Sequence, residues 1–200
     1  MTIKDFGARV ESVWQDLRPV TKKMLVGAMQ TGNAKPNRTF SYDAHADWEL
    51  SRLLSALDEQ ANSTEVKENA EKLREIKQFS GACAKVLEAQ TASAEVFIQL
   101  AKRAIKRNDF KKLDQLADVL MTRFSAGEIA EIIRQTDMAQ IRAIAYETLS
   151  FMPMSALLTI LDDSIYTEIA VNALEQQAYE YESEEARDIL EQLNLDEIGE

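Results

Sequence analysis

The residue types best suited to chemistry gather at Asp43-Ala44-His45-Ala46-Asp47, where the chain's single histidine stands between two carboxylates. An imidazole flanked by carboxylates suits a metal site or a general base. On an extended segment the three side chains would point the same way, yet no second His or neighbouring Cys completes a metal shell. A Ser/His/Asp apparatus would have to draw on Ser41 and Asp43. Both lie too close to His45 for the usual placement on separate elements, and no Gly-x-Ser-x-Gly elbow exists. Gly7, Gly27, Gly32, Gly81, Gly127 and Gly199 never cluster into a phosphate-cradling loop. The aspartates instead predict the start of a helix at Trp48, with His45 in solvent. The sequence therefore predicts no catalytic residue, no metal site and no cofactor.

Binding chemistry is easier to find. Lys102, Arg103, Lys106, Arg107, Lys111 and Lys112 form the strongest basic cluster. Spacings of four put pairs of these cations on one helix face, near a C-terminus where they suit the macrodipole. As a phosphate-binding patch they would make the protein a nucleic-acid-associated factor, though no aromatic platform or groove-reading motif accompanies them. The opposite charge dominates elsewhere. The chain carries 23 Lys/Arg against 34 Asp/Glu, a net charge of −11, and residues 125–200 hold 3 Lys/Arg against 17 Asp/Glu. Such a field repels phosphates and attracts basic partners, or it mimics nucleic-acid charge in another protein's basic groove.

The elements that must position these groups are helical. Six glycines and three prolines in 200 residues are too few for a sandwich or barrel of tight turns. Ile3, Phe6, Val10, Val13, Trp14 and Leu17 recur at helical steps after a Thr2/Asp5 capping pair, and Pro19 fits the first turn of a second helix over about 19–30. These two form an N-terminal hairpin, residues 1–30. Thr31 to Ala46 reads as a loop or hinge, being rich in Gly, Asn and Pro. Residues 47–108 read as a helical region: a helix over about 47–60, another opened by Asn62 and broken at Ser80-Gly81, then helices over 81–90 and 93–107.

Residues 109–193 repeat. Asp109, Asp137 and Asp162 each open a helix; four positions on stand Leu113, Ile141 and Tyr166. Seven on come Leu116, Ile144 and Ile169, eight on Ala117, Ala145 and Ala170, and twelve on Met121, Leu149 and Leu174. A shorter helix follows each copy, with Ile129, Ile132 and Ile133 matching Leu157, Ile160 and Leu161, then Ala186, Ile189 and Leu190. The last copy has four extra residues around Tyr179-Glu180-Tyr181-Glu182, about one helical turn, which preserves the buried face. Residues 194–200 read as an acidic tail.

Asp137-Met138-Ala139-Gln140-Ile141-Arg142-Ala143-Ile144-Ala145-Tyr146-Glu147-Thr148-Leu149 resembles the first helix of a short bacterial HEAT-like repeat, and Leu157 to Asp162 is similar to its second helix. Arg142 fills the family's arginine position, while Asp114 and Thr167 replace it in the other copies. The resemblance covers residues 109–193 and implies an all-α fold: helical hairpins stacked as a short solenoid, preceded by an N-terminal helical region. It also implies that second helices line a concave side, presenting Glu128, Glu131 and Arg134, then Ser155 and Thr159, then Glu184, Glu185, Asp188 and Glu191. The expected role is a non-enzymatic scaffold or adaptor whose acidic concave surface binds a basic protein partner. Bilin-attaching lyases share short HEAT-like repeats, so a lyase or accessory role follows by fold analogy alone. No apolar run approaches bilayer length, Met1 to Phe6 lacks a signal peptide's apolar centre, and the lone Cys83 suits a reducing compartment. A cytoplasmic protein without membrane contact is expected.

Overall fold

The computed structural model describes residues 3–31 and 42–198. Among them lie twelve α-helices and no strand. The chain divides into two compact units, Met1–Thr91 and Ala92–Glu200. That boundary falls inside the stretch 47–108, which the sequence reading kept together.

In the first unit a 3-10 turn, Ile3–Phe6, precedes α1 (Ala8–Asp16), α2 (Pro19–Thr31), α3 (Ala44–Asn62), α4 (Thr64–Lys67) and α5 (Ala70–Gln90). The helix expected from Thr2 onward starts later, because Gly7 takes a φ of +117° that other residues rarely adopt. A Cβ there would also come within 3.0 Å of the Gln60 side chain. Helix α3 is the hub, and its principal neighbours are α5 and α1. Leu50, Leu53, Leu54 and Leu57 recur at steps of three, one and three and are completely buried. Each such leucine contributes roughly 1.5–3 kcal/mol of burial. The edges of the Phe6 and Trp14 rings meet Phe79 of α5 at centroid distances of 5.9 and 5.8 Å. Helices α1 and α2 pack mainly on α3 and α5, a different arrangement from a self-contained hairpin over residues 1–30.

Helix boundaries depart from expectation where caps compete. Most of the segment read as a hinge, residues 32–41, lies outside the described residues, but Ala44–Ala46 already belong to α3. Asp43 caps that helix, its carboxylate accepting the Ala46 N–H at 2.8 Å. Asp47 is therefore an interior helical residue, one turn past the cap. Ser80-Gly81 does not break α5, which runs on to Gln90. A mid-helix glycine costs about 1 kcal/mol, and here buried neighbours on both sides of it, Phe79, Cys83 and Ala84, hold the helix through.

The second unit contains α6 (Ala94–Lys106), α7 (Phe110–Arg123), α8 (Ala126–Gln135), α9 (Ala139–Ser150), α10 (Met154–Leu161), α11 (Thr167–Tyr179) and α12 (Glu184–Ile198). Helix α6 ends on Asn108 in the left-handed conformation, φ 54°, and Asp109 then caps α7 by accepting the Lys112 N–H at 3.1 Å. The other two expected openers do different work. Asp137 precedes α9 without capping it; the Thr136 hydroxyl accepts the Met138 N–H instead. Asp162 closes α10, and α11 starts only at Thr167, after a turn in which Asp163 accepts the Ile165 N–H.

The repeated apolar positions fare unevenly. Leu113, Leu116, Ile141, Ala145, Leu149, Ile169, Ala170 and Leu174 are buried, as are Ile129, Ile132, Ile133, Leu157, Ile160 and Ala186. Met121 is 45% exposed, and the neighbouring Leu120 fills the interior in its place. The residues read as an acidic tail are helical as far as Ile198.

Neighbour relations in this unit follow a regular order. Helix α6 packs on α8 and α8 on α10; α7 packs on α9 and α9 on α11. Between these rows the principal partners are α6 with α7, α8 with α9, and α10 with α11. Helix α11 is packed on α12 as closely as on α10, so the last hairpin also stands where the sequence spacing implied. Helices α9 and α10 bend by 116° at the Phe151–Pro153 break, which carries the chain from one pair to the next.

Candidate interaction surfaces

The acids expected to meet a partner divide into two kinds. Glu128 is half-buried, and its carboxylate accepts the Ala94 N–H at 2.7 Å, serving as a distant cap for α6. Glu131 accepts from the Arg134 guanidinium at 2.7 and 2.5 Å, from the Gln135 amide at 2.5 Å and from the Tyr166 hydroxyl at 2.9 Å. The Arg134 hydrogen bonds hold its carboxyl down at about 2, with Gln135 and Tyr166 adding to the effect. Glu128 and Glu131 therefore tie separate helices together, whereas Arg134 pairs within its own helix and stays exposed. By contrast Glu184, Glu185, Asp188 and Glu191 are exposed on α12, opposite the face that buries Ala186. Ser155 and Thr159 are exposed on α10, the Thr159 hydroxyl donating to the Ala156 carbonyl. Helix α12 packs principally on α11.

The basic cluster spans the end of α6 and the start of α7. Lys102 pairs with Asp137 at 3.4 Å, and Arg103 and Lys106 occupy the last turn of α6. Lys106, Arg107 and Lys111 are exposed, whereas Arg103 and Lys112 are half-buried. The cations suit the C-terminal end of the α6 dipole.

One polar constellation in the first unit was not foreseen. The buried Glu49 carboxylate of α3 accepts the Arg18 backbone N–H at 2.6 Å, the Arg18 Nε at 3.0 Å and the Thr21 hydroxyl at 2.5 Å. Arg18 closes the group by a two-pronged pair with Asp43, at 3.0 and 2.7 Å. Burial alone would raise the Glu49 carboxyl; donation from Thr21 and Arg18 outweighs it and leaves the group below its ordinary value. Asp47 shifts the other way: burial pushes it up despite hydrogen bonds from Tyr42 and Thr91. His45 lies 3.8 Å from Glu49 and against the Trp48 ring, itself half-exposed and covered by the Arg52 guanidinium at 4.5 Å. Among the described residues no group of three His, Cys, Asp or Glu could hold a metal ion. The arrangement is that of a clamp: Glu49 caps the entrance of α2 and fastens it to α3.

A further surface lies on α9 and α11. Tyr146, Asn172, Glu175, Gln176, Tyr179 and Glu180 line an open cleft of about 520 Å³. Asn172, Glu175, Gln176 and Tyr179 follow at steps of three, one and three, so α11 contributes one continuous stripe. Tyr179 is 73% exposed, and the Gln176 amide donates to Glu180 at 3.1 Å. The reading by second helices overlooked this face, although aromatic and acidic residues at helical spacing are visible in the sequence.

Among the described residues no single helix is long and apolar enough to cross a membrane. No protein-family model, curated protein or solved structure matches the chain.

Proposed function

We propose that residues 94–198 form a short HEAT-like stack of helix pairs and that the protein is a non-enzymatic adaptor, binding a basic protein partner through its acidic helical surface. The observation that carries this reading is the neighbour order itself. One row runs α6, α8, α10 and the other α7, α9, α11, each helix touching the next in its row. That is the order expected when each pair covers the apolar face its predecessor leaves open. The acids available to a partner lie at the far end, where Glu184, Glu185, Asp188 and Glu191 face solvent. Carboxylates so placed speed encounter and select for positive charge more than they add affinity.

The test is titration of the full chain with a fluorescently labelled lysine-rich peptide at about 0.1 M salt, where charges are screened beyond about 10 Å. Saturable, salt-weakened binding is expected, with roughly tenfold loss when Glu184, Glu185, Asp188 and Glu191 are replaced by their amides. Absence of saturable binding, or equal affinity in that variant, would refute the proposal.

A further inference from the structure

We infer that the cleft between α9 and α11 is an arginine-recognition site, the point at which a basic partner is read rather than merely attracted. The inference rests on the adaptor reading and names the side chain that reading leaves open.

Three features point to a guanidinium. The first is the lining chemistry: two phenol rings, two carboxylates and two carboxamides, with no cation among them. A planar cation with five N–H donors can stack on an aromatic face and donate to carboxylate and amide oxygens together. The second is preparation. Gln176 donates to Glu180 at 3.1 Å, which orients that carboxylate, and Asn172, Glu175 and Tyr179 stand on the same rigid helix stripe. The third is exposure of costly apolar surface. Tyr179 is 73% exposed, and a second aromatic pair lies at the adjoining ends of the same two helices: Phe151 directly after α9 and Tyr181 just past α11, with ring centroids 4.8 Å apart. Aromatic rings left open beside carboxylates are the composition of a binding hot spot, where arginine is a preferred counterpart. Arg142 is exposed one turn before Tyr146 but is not among the residues lining the cleft.

The occupant is therefore a protein segment bearing arginine, its guanidinium on the exposed Tyr179 ring and its N–H groups on Glu175 and Glu180. Lysine lacks the planar fork and gains less from the rings. A purely electrostatic surface would not distinguish the two.

The experiment compares arginine-only and lysine-only peptides of about nine residues, titrated against the full chain at about 0.1 M salt. Exposed cation–π contacts predict at least about threefold tighter binding of the arginine peptide. Tyr179→Leu should erase that preference, Tyr179→Phe should keep it, and the Glu175→Gln/Glu180→Gln variant should weaken both peptides. Tyr179, Glu175 and Glu180 are exposed, so helix content by circular dichroism should be unchanged in each variant. Equal affinities for the two peptides, or a preference untouched by Tyr179→Leu, would overturn the cleft while leaving the acidic adaptor standing. Failure of both peptides to bind would overturn the two together.

Discussion

Glu49 shows how one buried carboxylate organises a neighbourhood. Its side chain is 1% exposed, and it accepts from three donors: the Arg18 N–H at the α2 entrance, the Arg18 guanidinium and the Thr21 hydroxyl. Removing it leaves the half-buried Arg18 charge with only Asp43 and leaves Thr21 buried without its acceptor. Glu49→Ala should therefore cost about 2–3 kcal/mol in chemical denaturation, somewhat below the full loss for a buried pair because Arg18 is partly solvated. Glu49→Gln, which keeps an acceptor oxygen, should cost about half as much. A change within about 0.5 kcal/mol, as for an ordinary surface site, would contradict the clamp. The sequence hid this cluster because Arg18 and Glu49 stand 31 positions apart, and a lone glutamate inside an amphipathic helix looks like any solvated one. Only the capping role of an aspartate ahead of α3 was visible. It belongs to Asp43 rather than Asp47 because the side chain that reaches an unpaired N–H three residues on becomes the cap.

At the scale of elements, the periodic apolar stripes were readable and the joints between helices were not. Ile141, Ala145 and Leu149 at steps of four specify the buried face of α9 whatever surrounds it. In α7 the repeat spacing points to Met121, but Leu120, seven residues on from Leu113, lies in the middle of the buried stripe and Met121 at its edge. Aspartate spacing misled more seriously: Asp162 is a helix end, and the five residues to Thr167 form a turn. Gln177 is a joint that no local pattern announces. From α11 its amide donates to the Ser150 and Met152 carbonyls, both at 2.9 Å, satisfying the end of α9 where the chain turns toward α10. Gln177→Ala should destabilise the protein by about 1–3 kcal/mol, because two carbonyls lose their partner in a mostly buried place. Thermal unfolding checks this; an unchanged midpoint would mean that water replaces the amide without cost.

At the scale of the molecule, charge was legible in advance, but its placement was only half so. The acid excess of residues 125–200 is a sequence fact. Which acids are spoken for is not, since Glu128 and Glu131 reach Ala94 and Tyr166 only once the helices pack. The surface available to the proposed partner is accordingly narrower than the sequence suggests, and we place it on α11 and α12 together with Tyr146 of α9. The proposed stack would be held by neighbour contacts alone, so its stability would be graded along the line. Native-state hydrogen exchange across a denaturant series measures that gradient directly. Amides of α12, which packs principally on α11, are expected to open at distinctly lower free energy than those of α8 and α9. Exchange of α6 through α12 at one common free energy would describe a single closed core and contradict the stack.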